Sequence, residues 1–152
     1  MTAPELLNTL EKHHHVVVGE NRLAAPRRTI AEVMAEILRP VLPDEEVVFA
    51  IETSSLDDRL SGELVWLLVL SRTLVEVKTA VEVEVDVSDV KVVTRVLPLA
   101  KNVTATVDTR RQGPGLAQSS TGAKVEVDGH AFEVRGKAAG PFVRAILSAS
   151  DR

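Results

Sequence analysis

The stretch GELVWLLVLSRTLVEVKTAVEVEVDV, residues 62–87, decides the fold class. Leu64 to Leu70 is a continuous apolar run. It is far short of the roughly 20 residues of a membrane-spanning helix, and it suits a strand buried on both faces. Ser71-Arg72 is short and polar enough to turn, and Thr73 to Lys78 returns. From there the period is two. Val75, Val77, Val81, Val83, Val85 and Val87 take odd positions, while Glu76, Lys78, Glu82, Glu84 and Asp86 take even ones. Successive side chains of a strand point to opposite faces, so the valines share one face and the charges the other. A bend at Thr79-Ala80 keeps this in one strand and a tight turn makes two; the sequence leaves both open.

Working outward, the same period marks Val47 to Ile51, Val90 to Leu97 (stopped by Pro98) and Val103 to Thr109. Lys124 to Asp128 and Ala131 to Arg135 flank Asp128-Gly129-His130, and Asp-Gly between alternating strands is a strong hairpin signal. Ser54 to Gly62 and Arg110 to Gly122 read as loops by composition. The ends are helical. Thr2-Ala3-Pro4-Glu5 has the form of a capping box, followed by Leu6, Leu7 and Leu10, with Val16 to Gly19 as a break. Thr29-Ile30-Ala31-Glu32 is a second box, and Ile30, Val33, Met34, Ile37 and Leu38 follow it with helical spacing up to Pro40. Gly140-Pro141 opens a last helix with the stripe Phe142, Val143, Ile146 and Leu147.

The length of 152 residues fits one ordinary domain. Valine outnumbers isoleucine 25 to 4, which favours strands. The aromatic residues are Phe49, Trp66, Phe132 and Phe142. So few rings argue against a base-stacking nucleic-acid platform. With 18 basic and 22 acidic residues the formal charge is −4, which excludes a globally basic DNA-coating protein. Residues 41–100 carry net −7 and residues 101–152 net +3. Cysteine is absent, which removes disulfides, thiolate metal sites and a cysteine nucleophile. Met1 to Leu10 shows no signal-peptide pattern, and the expected location is cytoplasmic.

The order of two helices, about seven strands and a closing helix has a family counterpart. Asp44-Glu45-Glu46-Val47-Val48, the stretch Gly62 to Val77 with its polar turn, Val87-Ser88-Asp89-Val90, the hairpin Val125 to Val134 and the helix Pro141 to Leu147 together resemble the bacterial pleckstrin-homology-like (PH-like) family. The resemblance covers residues 43–149. It implies an α+β fold, a bent antiparallel sheet or partly open barrel of about seven strands capped by the C-terminal helix. Residues 1–40 would be an added helical arm and 43–150 the β domain, the two forming one compact unit. Such folds serve as lipid-binding, peptide-binding and oligomer-forming modules. Phosphoinositide readers among them place Lys and Arg around the first inter-strand loop; here that loop holds Asp57, Asp58 and a single Arg59.

Each candidate site has a plainer competitor. His13-His14-His15 cannot converge on one ion from a helix, since neighbours point about 100° apart, so an exposed helix end is the simpler reading. Glu76-Val77-Lys78 has the Glu-x-Lys form of Mg²⁺-dependent nucleases, with Asp57 or Asp58 as further carboxylate. A charged outer sheet face generates the same triplet automatically. Arg110 and Arg111, beside flexible glycines and with Lys124, would suit an anion or lipid headgroup. Glu82, Glu84 and Asp86 would flank a free sheet edge with negative charge and match a basic peptide. Otherwise they keep a valine-rich sheet soluble. Ile30, Met34 and Ile37 must be covered by the chain's own sheet or by a second subunit. His130 reads as an exposed turn residue and Trp66 as core. The expectation is a non-enzymatic binding or self-assembly module with a protein partner, no catalytic residue, no metal and no cofactor. Nucleic acid is not expected as a partner and a peripheral membrane contact is not favoured.

Overall fold

The computed structural model describes residues 2–13, 24–53, 55–56, 62–81, 91–99, 103–111 and 119–151. Helices α1 (Ala3–His13) and α2 (Ala24–Leu38) precede a short 3₁₀ turn at Arg39–Val41. Then come β1 (Val47–Glu52), the two-residue β2 (Ser55–Leu56), β3 (Gly62–Leu70), β4 (Thr73–Val81) and β5 (Val92–Pro98). Strands β6 (Val103–Arg111), β7 (Ser119–Val127) and β8 (His130–Arg135) lead into α3 (Ala139–Ser150). The architecture is α+β, and every strand pairing is antiparallel. The first sheet runs β1-β3-β4-β5 with β2 on β3, the second runs β6-β7-β8, and neither closes. No described helix is long and apolar enough to cross a membrane.

The apolar run of β3 is sandwiched as its composition requires. Leu64, Trp66, Leu68 and Leu70 join Leu6, Leu7, Leu10, Met34 and Leu38 of the two N-terminal helices in one buried cluster. Val65, Leu67 and Val69 face the second sheet and α3, in a cluster with Val125, Val127, Phe132, Phe142 and Ile146. The N-terminal helices therefore pack on the chain's own first sheet. Phe49 of β1 and Phe142 of α3 meet with ring centroids 6.3 Å apart, which ties the last helix to the first strand. The Trp66 Nε1–H is buried without an acceptor among the described residues. That costs about 1–3 kcal/mol, which the burial of the indole's apolar surface offsets.

Local chemistry sets most boundaries. In α1 the Thr2 N–H donates to Glu5 Oε2 (3.0 Å) and the Glu5 N–H to Thr2 Oγ1 (3.3 Å), a reciprocal capping box. The second box does not start α2. That helix begins at Ala24, five residues before Thr29, with Pro26 in its first turn, where a missing N–H is harmless. The buried stripe of α2 is also rotated: Ala31, Met34, Ala35 and Leu38 are buried, while Ile37 is exposed. Small alanines allow a helix close approach to a sheet, and hydrophobicity alone does not rank them above isoleucine. Strand β4 continues through Thr79 and Ala80, paired to Leu64 and Glu63. The expected loop at 110–122 is shorter, because Arg110 and Arg111 pair with Ser120 and Ser119. A Cβ on Gly122 would overlap the guanidinium of Arg135, which crosses that strand position to reach Asp108. At the β7–β8 turn, Asp128 (φ 49°) and Gly129 (φ 83°) are both left-handed, as a two-residue type I′ hairpin needs.

The β3–β4 turn is held from outside. Glu45 accepts the Arg72 N–H (2.6 Å), the Thr73 hydroxyl (2.7 Å) and the Ser71 hydroxyl (3.4 Å). Hydrogen bonds to a charged group are worth about 1.5–3 kcal/mol. Glu45→Ala should therefore lower unfolding stability by about that amount, with Glu45→Gln recovering part of it. An unchanged urea midpoint for Glu45→Ala would remove this role.

Candidate functional site

The inner face of the first sheet is uncovered progressively toward β5. The row Phe49, Val69, Leu74 and Leu97 is buried throughout. The next row, Ile51, Leu67, Glu76 and Arg95, is buried as far as Glu76 (7% exposed) and opens at Arg95. In the third row, Val65 is buried, Lys78 is half-exposed and Val93 is 63% exposed. The second sheet thus stops short of the start of β5.

At this rim Glu76 is clamped. Its carboxylate lies 3.7 Å from Lys78 Nζ and 3.7 Å from Arg95 Nη1. Arg95 Nη1 also lies 3.1 Å from His130 Nδ1, at the start of β8. Arginine can only donate, so Nδ1 accepts and the neutral ring carries its proton on Nε2. Glu76 was expected on a solvated outer face with Lys78. It lies on the covered face instead, because it is the valines Val75 and Val77 that turn toward α1 and α2. With two cations against it, this carboxylate is compensated within the chain. No three His, Asp or Glu residues among the described ones are grouped to hold a metal ion. Asp57 and Asp58 lie outside the described residues.

The other sequence-derived candidates are scattered. Arg110 and Arg111 are strand residues at the end of β6. Lys124 pairs with Thr106, four residues and about 13 Å of strand from Arg110. Its ammonium lies 3.4 Å from Glu126 Oε1, and it sits opposite Glu133. That side of the second sheet is charge-balanced, with Arg135 bonded to Asp108 and Glu133. Glu82, Glu84 and Asp86 lie outside the described residues, as do His14 and His15. His13 ends α1, and Ile30 lies within α2. Met34 is fully buried in the helix–sheet core, so its apolar surface is spent inside the chain. Ile37 is exposed at 39%.

Sequence reasoning passed over Arg95 and took His130 for an exposed turn residue, whereas it is half-buried and opens β8. The two are 35 residues apart and meet only because the start of β8 lies against β5. No local pattern carries that signal. The rim also has a free backbone edge, since β5 pairs with β4 alone among the described residues. Val93 on one face and Val96 on the other, at 63% and 44% exposure, stand along it. No protein-family model, no curated protein and no solved structure matches the chain.

Proposed function

We propose that the chain is a non-enzymatic binding module of PH-like architecture that takes a protein segment at the rim formed by β5. A four-strand meander, a three-strand meander and a C-terminal helix in that order support the PH-like reading. The observation that carries the binding reading is the edge of β5, free among the described residues, with exposed valines on both faces. A strand paired on one side only can add another by main-chain hydrogen bonds. The compensated Glu76 and balanced Lys124 supply neither a reactive carboxylate nor a free cationic pocket.

The test is comparative capture. Wild type, Val93→Glu and the distant control Leu147→Glu are immobilised and offered host lysate. Proteins retained by wild type and the control should be lost from Val93→Glu. Identical capture by all three removes β5 from the reading. Retention on anionic vesicles that Lys124→Glu abolishes would replace it with the anion-binding alternative.

A further inference from the structure

We propose that the β5 rim selects an extended segment carrying an acidic residue between apolar ones. This rests on the reading of β5 as a pairing edge and adds the chemistry of its occupant. Among the described residues, the charges that line the rim are mostly cationic. Lys91 is exposed just before β5, Arg95 is 44% exposed within it, and Lys78, directly across from Val93, is 37% exposed. The carboxylate beside them, Glu76, is only 10% exposed at its side chain and already bonded to Lys78 and Arg95. A carboxylate arriving at Arg95 would therefore meet more positive than negative groups among the described residues, Lys78, Lys91 and Arg95 against Glu76.

Strand geometry turns this into a pattern. In an antiparallel addition, residues directly opposite share a face. An acid at partner position k opposite Arg95 places k+2 opposite Val93 on the same face and k−1 opposite Val96 on the other. The matched segment reads apolar, acid, any, apolar. A second copy of β5 is a poor occupant, because two-fold pairing of this strand with itself brings the Lys91 and Arg95 groups of both chains to one seam, and like charges there are destabilising. A basic segment meets the same repulsion.

The experiment uses the full chain and a fluorescein-labelled peptide of sequence Thr-Val-Glu-Thr-Val-Thr. Its controls are the same peptide with Lys for Glu and the same peptide N-methylated along the pairing edge. The acidic peptide should bind, slow amide exchange over residues 92–97 and weaken with salt. Val93→Glu should reduce its affinity about tenfold or more, and Arg95→Gln about twofold to fivefold, the range of exposed ion pairs. Val93 is largely exposed, so its variant should fold even if loss of the Glu76 partner destabilises Arg95→Gln. Equal or tighter binding of the lysine peptide at residues 92–97 overturns the acidic preference and leaves the pairing edge standing. Binding of the N-methylated peptide as tightly as the parent, or no peptide binding at β5, overturns strand addition itself. A dimer in light scattering that Val93→Glu converts to monomer makes a second copy the occupant and also overturns the proposal.

Discussion

Ile146→Asp should leave the protein unfolded at room temperature or lower its melting temperature by roughly 10–20 °C. Ile146 is fully buried in α3 and packs in the cluster that joins both sheets. Its side chain contributes about 1.5–3 kcal/mol of burial. A carboxylate in its place loses that term and must either stay charged without a partner or protonate at a cost. The buried cluster it packs in is made of apolar side chains. Burying an unpaired charge commonly adds several kcal/mol, against a total stability of only about 5–15 kcal/mol. The adjacent residue is the control. Leu147 is 44% exposed, so Leu147→Asp should change stability by about 0.5 kcal/mol or less. Circular dichroism melts of the two variants make the comparison. Similar melts would show that α3 does not seal the core.

Deleting residues 1–40 should yield an insoluble chain. The two helices cover one face of the first sheet, where Leu64, Trp66, Leu68, Leu70, Val75 and Val77 are buried. Each of these side chains contributes about 1.5–3 kcal/mol by leaving water. Bared together, they form a contiguous apolar patch well beyond the few hundred Å² a soluble monomer tolerates. Fractionation of the expressed truncation is the measurement, and Leu10→Asp in the full chain is a milder companion, since Leu10 is fully buried in the same cluster. A truncation that stays soluble, monomeric and as stable as the parent would show that the helices are dispensable to the sheet.

The locations of β1, β3, β5 and β8, the turn at Ser71-Arg72, the Asp128-Gly129 hairpin, the Thr2–Glu5 cap and the closing helix were determined by the sequence alone, whereas β2 (Ser55–Leu56) and Ser119 to Gly122 of β7 fall in stretches whose composition reads as loop. Each of the former is a local matter of periodicity, of left-handed backbone at two residues, or of a side chain reaching three residues away. The double burial of β3 was legible for a similar reason, since a strand apolar at every position has no face fit for water. What the sequence left open was which layer covers which face. Alternation in β4 states that Glu76 and Lys78 share a side. It is silent on whether that side looks to solvent or to a second sheet. The start of α2 and the rotation of its stripe toward alanines were likewise settled by contact with the sheet. Only the tertiary structure put Arg95, Glu76 and His130 together, because their meeting depends on β4–β5 register and on where the second sheet ends. Both are set by the fit of whole layers, whose energy is spread over dozens of distant side chains and is written in no single stretch of the chain.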